Sequence, residues 1–381
     1  MTTAKTFTYH RPVLADNYCQ SLEGQGLTDS RSGLFLAAPR RTGKSTFLRA
    51  DLLPAMQARG WTSIYVDLWA DKAKDPAVLI TSAIKTKIGN FASVIKKLVK
   101  AARVEKINVL GALSLNLDSP ELPKELTLTD ALEALVTAGN APVAIVIDEA
   151  QHALSTSTGI DAMFALKAAR DHLNQGREQQ QLFIVLTGSN RDKLAHLVLK
   201  RTQPFFGSQV TRFPLLGKDF TDAYTDFINP QLATSNQFSH EDMFAAFKLV
   251  GHRPEMLRNI VGEIALNAGA GQLGEELKHG AEALKERIWS AMESEFAELP
   301  DTQRAVLETL IAQGKNYLPF SETSMRAYAN LLQQEKVSTP AVQGALDALR
   351  EKGLVWRAAY GDYALEDESL TSWYKARVDR T

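Results

Sequence analysis

The chain of 381 residues has a single cysteine, Cys19. An internal disulfide and a cysteine-based metal site are excluded, and Cys19 reads as a small helix-packing residue. Charge of one sign is missing too: 43 Lys and Arg stand against 44 Asp and Glu. No global field draws the chain to nucleic acid or an anionic membrane, so such a contact must come from a local patch. Long apolar runs are absent. No stretch approaches the roughly 18 residues of a membrane span, and the opening Met-Thr-Thr-Ala-Lys has no apolar signal core. A cytoplasmic protein with no membrane contact is expected. The seven histidines fall at no metal-ligand spacing, which argues against zinc. What is left is ordinary: 45% hydrophobic and 23% charged residues, over a length suited to two or three domains of about 100–200 residues.

The most informative stretch is Ala38-Pro39-Arg40-Arg41-Thr42-Gly43-Lys44-Ser45-Thr46. It follows the apolar run Leu34-Phe35-Leu36-Ala37 and opens a segment with Leu48, Leu52 and Met56 at helical spacing. Strand, glycine-containing turn, Lys-Ser and helix together make a P-loop. Its N–H groups and the positive end of the helix dipole converge on phosphate oxygens. Pro39, Arg40, Arg41, Thr42, Gly43, Lys44, Ser45 and Thr46 are therefore the expected ATP-binding segment. Lys44 is expected to reach the β- and γ-phosphates and the Ser45 hydroxyl to ligate Mg2+. Ala38 stands where the pattern usually has its first glycine, which is tolerable if its φ stays negative.

Further apolar runs at 63–69, 142–147, 181–187 and 210–215 alternate with helical stretches. That alternation predicts an α/β fold: a P-loop NTPase parallel sheet with helices on both faces. Asp148-Glu149 closes the second of these runs. Asp148 is the second expected Mg2+ residue, acting through water, and Glu149 the group that activates the water attacking the γ-phosphate. Ser189 and Asn190 end the next run, where they either hold that water or cap the helix beginning at Arg191. Arg253, just before Pro254 at a helix start, is the candidate to meet the γ-phosphate and report nucleotide state, with Arg258 as its competitor. The helix after Glu149 carries Ile160, Met163, Phe164 and Leu173 as its core face, interrupted by Lys167. Lys96, Lys97, Lys100, Arg103 and Lys106 form a basic cluster, read as a nucleic-acid contact or a solvated helix face, followed by a hairpin around Gly111.

Three parts are expected: an ATPase core over 1–217, a helical lid and linker over 218–298, and a winged helix over 299–381. The last rests on three helices followed by strand segments flanking Tyr360-Gly361-Asp362.

The motifs Ala38 to Ser45, Val146-Ile147-Asp148-Glu149-Ala150-Gln151, Leu186-Thr187-Gly188-Ser189 and Gly251-His252-Arg253-Pro254 resemble those of AAA+ P-loop ATPases. More narrowly, the chain is similar to the archaeal-type ATPase family, near the STAND and origin-recognition ATPases. The resemblance implies ATP and Mg2+ as cofactors, with Lys44, Ser45, Asp148 and Glu149 in the roles above. It also implies a nucleotide-dependent homo-oligomer in which one subunit's arginine completes its neighbour's site. At the expected position after Phe205-Phe206-Gly207, however, stands Ser208; Arg201 and Arg212 are the substitutes. The function that follows is an ATP-hydrolysing conformational switch acting on DNA or on a protein. A nucleotide-gated interaction module with little hydrolysis is the alternative. From Asp301 to Thr381 there are 10 Lys and Arg against 11 Asp and Glu, which suits a protein partner at least as well as DNA. Exposure of Trp356, Tyr360 and Tyr363 would fit the same choice.

Overall fold

The computed structural model describes residues 7–26, 28–94, 127–199, 201–234, 236–267, 273–359, 362–367 and 369–379. The basic cluster at 96–106, the expected hairpin around Gly111, and Tyr360-Gly361 lie outside them. No helix among the described residues is long and apolar enough to cross a membrane. The chain packs as two units, one of His10–Ala38 and Lys44–Phe213, the other of Met1–Tyr9, Pro39–Gly43 and Pro214–Thr381.

The first unit runs α1 (Pro12–Glu23), β1 (Leu34–Ala37), α2 (Lys44–Phe47), α3 (Leu53–Ala58), β2 (Thr62–Asp67), α4 (Pro76–Asn90), α5 (Leu128–Gly139), β3 (Val143–Asp148), α6 (Ser157–Asn174), β4 (Leu182–Gly188), α7 (Arg191–Leu199) and β5 (Val210–Arg212). A π-helical turn, Leu48–Leu52, joins α2 to α3. The strands form one parallel sheet in the order β2-β3-β4-β1-β5. Because side chains alternate along a strand, β1 sends Leu34 and Leu36 into one apolar layer and Phe35 and Ala37 into the other. The layer with Leu34 includes Cys19, Leu48, Met56 and Val146; the layer with Phe35 includes Ile84, Leu135, Ile147 and Met163. Every residue of β3 and β4 is buried, as strands covered on both faces must be. Local signals start the helices. Asp75 caps α4 by accepting the Ala77 N–H at 2.8 Å, with Pro76 in the first position. Thr127 and Asp130 make a reciprocal capping box on α5.

One expectation fails in α6. Its buried face is Ala162, Met163, Leu166, Ala169 and Leu173, while Phe164 is 41% exposed. Phe164 shares its side of the helix with Lys167, three residues on, and Lys167 turns to Asp171 in solvent.

In the second unit, α8 (Lys218–Ile228), α9 (His240–Leu249), α10 (Pro254–Asn267) and α11 (Leu273–Ala297) enclose Phe220, Met243, Phe247, Leu257 and Leu277. The segment before α1 joins them, with the Phe7 ring 5.2 Å from Tyr224 and 5.1 Å from Phe227. The chain then forms α12 (Asp301–Gln313), α13 (Glu322–Leu332), α14 (Thr339–Glu351), an antiparallel pair β6 (Val355–Ala359) and β7 (Asp362–Leu365), and α15 (Ser369–Val378). Val306, Leu310, Tyr328, Leu346, Val355 and Trp373 share its core. Three helices followed by a two-stranded hairpin is the element order expected of a winged helix. Tyr363, expected on the surface, is 4% exposed: the strand alternation that faces Ala364 outward turns Tyr363 inward.

Candidate functional site

The sheet brings two strand ends together. β1 runs beside β4, with Leu36 opposite Thr187 and Ala37 opposite Gly188. β4 in turn lies between β1 and β3, with Ile147 opposite Leu186. After β1 the Ala38 N–H donates to the Gly188 carbonyl at 3.2 Å, and Ala38 is not among the residues of positive φ. Its methyl group is therefore no obstacle. Two later residues supply the left-handed turns: Arg41 at φ 65 and Gly43 at φ 87. At Gly43 a Cβ would be strained. Thr42 steadies the loop by donating to the Pro39 carbonyl at 2.8 Å. Arg40, Arg41, Ser45 and Thr46 are exposed, whereas Lys44 is 5% exposed.

Lys44 opens α2 and points at the end of β3. Its ammonium donates to Asp148 Oδ1, to Glu149 Oε1 at 3.3 Å and to Thr187 Oγ1 at 3.2 Å. Asp148, 1% exposed, also accepts from Thr187 on Oδ1. Its Oδ2 accepts from Ser45 at 2.6 Å and from Tyr65 at 3.1 Å. Burial alone would raise the Asp148 carboxyl. The Lys44 charge and the bonds from Lys44, Ser45 and Thr187 outweigh it and hold the group below the usual carboxylate range. Burial pushes the Tyr65 hydroxyl up, so it stays protonated as a donor.

Glu149 has φ 54, a left-handed backbone uncommon for a glutamate. Its N–H turns back to Asp148 Oδ1 at 3.0 Å. Lys44 holds Oε1, while Oε2 accepts from Ser189 Oγ at 2.7 Å and from Gln151 Nε2. Burial again pulls the pKa upward and is overcome, by the Lys44 charge first and then by the bonds from Ser189 and Gln151. The cluster thus sets one buried and one half-buried carboxylate against one ammonium. A net negative pocket that offers the Ser45 hydroxyl and carboxylate oxygens side by side fits a hard cation such as Mg2+.

Of the residues expected from sequence, Lys44, Ser45, Asp148, Glu149 and Ser189 meet here. Asn190 does something else: its Oδ1 accepts the Lys193 N–H at 2.7 Å and caps α7. Arg253 donates to Asp367 Oδ2 at 3.0 Å, ahead of α15. Arg41 lies 3.5 Å from Glu255, with both side chains more than half exposed, which makes a weak pair. Arg201 and Arg212 are on the surface. His152 sets its ring edge-on to Trp69. Three members had been given no role: Thr187 and Gln151, which lie in the quoted motifs, and Tyr65. The signal for Thr187 was a hydroxyl inside an otherwise apolar strand, and for Gln151 a polar residue two beyond the acidic pair. Tyr65 gave none.

The sequence profile of the AAA domain matches residues 28–197. Among solved structures, the Walker-type ATPase of Pyrococcus abyssi is 18% identical, covering 97% of this chain and 96% of its own, with a TM-score of 0.55. The Aeropyrum pernix ORC2 protein in its ADP form is 14% identical over 97% and 93%, with a TM-score of 0.54. At such identities the likeness establishes a common fold. No protein of curated function matches the sequence. The AAA match spans every residue of the carboxylate–ammonium cluster, and residues 28–197 are accordingly an AAA-type P-loop ATPase domain.

Proposed function

We propose that this ATPase is a Mg2+-dependent conformational switch whose C-terminal part works on a protein partner. The observation that carries the reading is Glu149, a half-buried carboxylate oriented by Ser189 beside the P-loop lysine. Lys44 would exchange its carboxylate partners for the β- and γ-phosphates, and the amides from Pro39 to Thr46 would bind the remaining oxygens. Ser45 and Asp148 would hold Mg2+, which when bound neutralises charge on the phosphates. Glu149 would orient water and accept its proton. Asn190, occupied as a cap, takes no part; Ser189 fills the polar position at the end of β4. For Arg253 to read the γ-phosphate, it must exchange Asp367 for phosphate, and that exchange would carry the nucleotide state into the C-terminal helices.

Charge supports that choice of partner. The exposed face of α14 presents Thr339, Ala341, Gly344, Asp347 and Glu351, and its Arg350 lies 3.2 Å from Asp347. Lys352, exposed just beyond the helix, is the other cation at this end, and a face with so few cations is a poor ligand for phosphate backbones. Steady-state ATP turnover, with and without duplex DNA and with Glu149→Gln as the blank, tests both halves. Turnover that needs Glu149 and ignores DNA is expected. Stimulation by DNA that fades with added salt would make DNA the partner instead. Turnover unchanged in Glu149→Gln, while Lys44→Ala abolishes nucleotide binding, would remove the hydrolytic role of Glu149.

A further inference from the structure

We infer that Gln151 is a positioning residue for hydrolysis: its side-chain amide, admitted by the missing Cβ of Gly188, fixes the Glu149 carboxylate in its working orientation. This rests on the reading of Glu149 as the group that activates water.

Gln151 follows β3 by three residues and is 6% exposed. Its Nε2 donates to Glu149 Oε2 and lies 3.4 Å from Ser189 Oγ. Its Oε1 is buried with no hydrogen-bond partner among the described residues. A carbonyl left unsatisfied in the interior is a cost, so packing alone favours an apolar side chain of the same length here. The gain that offsets it is the bond to Glu149. β4 makes room for this arrangement, since a Cβ on Gly188 would stand 2.6 Å from Gln151 Oε1. Two strands thus agree on the position of one amide.

The two oxygens of Glu149 are held by different groups. Lys44 holds Oε1, and that bond is given up if the lysine turns to phosphate. Ser189 and Gln151 hold Oε2 and need not move. They are the restraints that persist while Glu149 acts. The hydrogen bonds of the Gln151 amide go to Glu149 and Ser189, so it works through Glu149.

Gln151→Met keeps the length and removes both the donor and the orphan oxygen. The expected result is a kcat lower by about 10- to 100-fold, with KM, ATP affinity and melting temperature held or the last raised. In single turnover, Gln151→Met should add no further loss to Glu149→Gln. Gly188→Ala, whose methyl first meets the Gln151 side-chain amide, should reproduce the kcat effect and covers the case in which Gln151→Met folds badly. Unchanged kcat overturns the inference. So does a full additional loss in the Glu149→Gln background, or ATP affinity that falls in step with kcat. The parent reading fails separately: Glu149→Gln would then turn over at the wild-type rate. If Glu149→Gln stops turnover and Gln151→Met does not slow it, only the role of Gln151 is lost.

Discussion

At the end of β3, Asp148 and Glu149 face one ammonium inside a packed core; among the C-terminal helices, Tyr317 and Tyr328 are buried as deeply and carry no charge. The tyrosine pair is complete in itself. The two hydroxyls lie 2.7 Å apart, Tyr328 donates onward to the Pro319 carbonyl at 3.1 Å, and burial pushes Tyr328 up to about 12 and Tyr317 further. Nothing from outside is needed. The carboxylate cluster, with two negative groups to one positive, is completed only by another cation. The first kind of buried polar contact fixes a fold, and the second leaves an opening for chemistry.

The largest effect that would sharpen this contrast is on turnover. Glu149→Gln removes the proton acceptor and keeps the shape; kcat should fall about 10²- to 10⁴-fold with ATP still bound, as measured by turnover beside equilibrium binding. Tyr328→Phe should leave kcat alone. Next comes Lys44→Ala, which strands the buried Asp148 and the half-buried Glu149. Nucleotide binding should vanish, and stability at neutral pH should drop by about 3–5 kcal/mol. The pH dependence has a definite sign. Both folded carboxyls titrate below their ordinary range, so in the wild type their stabilisation is present above the unfolded values near ~4 and is lost as pH falls through the folded ones. In Lys44→Ala the carboxyls lose that support and gain from protonation, so the gap to wild type should narrow in acid. Urea titrations of both chains at neutral and mildly acidic pH read this directly; a gap that widens in acid would break the comparison.

Tyr328→Phe is expected to cost about 1–3 kcal/mol, because the Tyr317 hydroxyl loses its buried acceptor. Thermal melts check it, and replacing both tyrosines by Phe should cost less than the two single changes summed. The smallest effect belongs to Arg253→Ala. Its pair with Asp367 is partly exposed, so the change in stability should be within about 1 kcal/mol. A larger loss would mean that this pair, too, belongs to the self-contained class.

The P-loop and the acidic pair were legible because each is a run of adjacent residues whose chemistry is tied to a strand end. The alternation of apolar runs and helices likewise gave the parallel sheet. Strand order was not legible. Periodicity says that β4 is buried on both faces, but not that it lies between β1 and β3, and only that order puts Thr187 within reach of both Lys44 and Asp148. Gln151 was hidden for a similar reason: its meaning depends on Gly188, 37 positions away on a neighbouring strand. Asn190 and Ser189 could not be ranked from sequence, since both residue types cap helices and hold water; in the fold Ser189 turns to Glu149 and Asn190 accepts the Lys193 N–H. Phe164 was misplaced because the interruption by Lys167 was visible but did not say to which side the stripe shifts; Phe164 goes to the lysine's side.

The left-handed backbone of Glu149 bears on how such a chain would evolve. Asparagine or glycine would sit at φ 54 with less strain, and an apolar side chain at 151 would leave no orphan carbonyl. A lineage selected for endurance alone would therefore drift from glutamate at 149 and glutamine at 151 toward a sturdier, inert protein. A library varied at these two positions and sorted first by heat resistance, then by turnover, should yield two populations with little overlap.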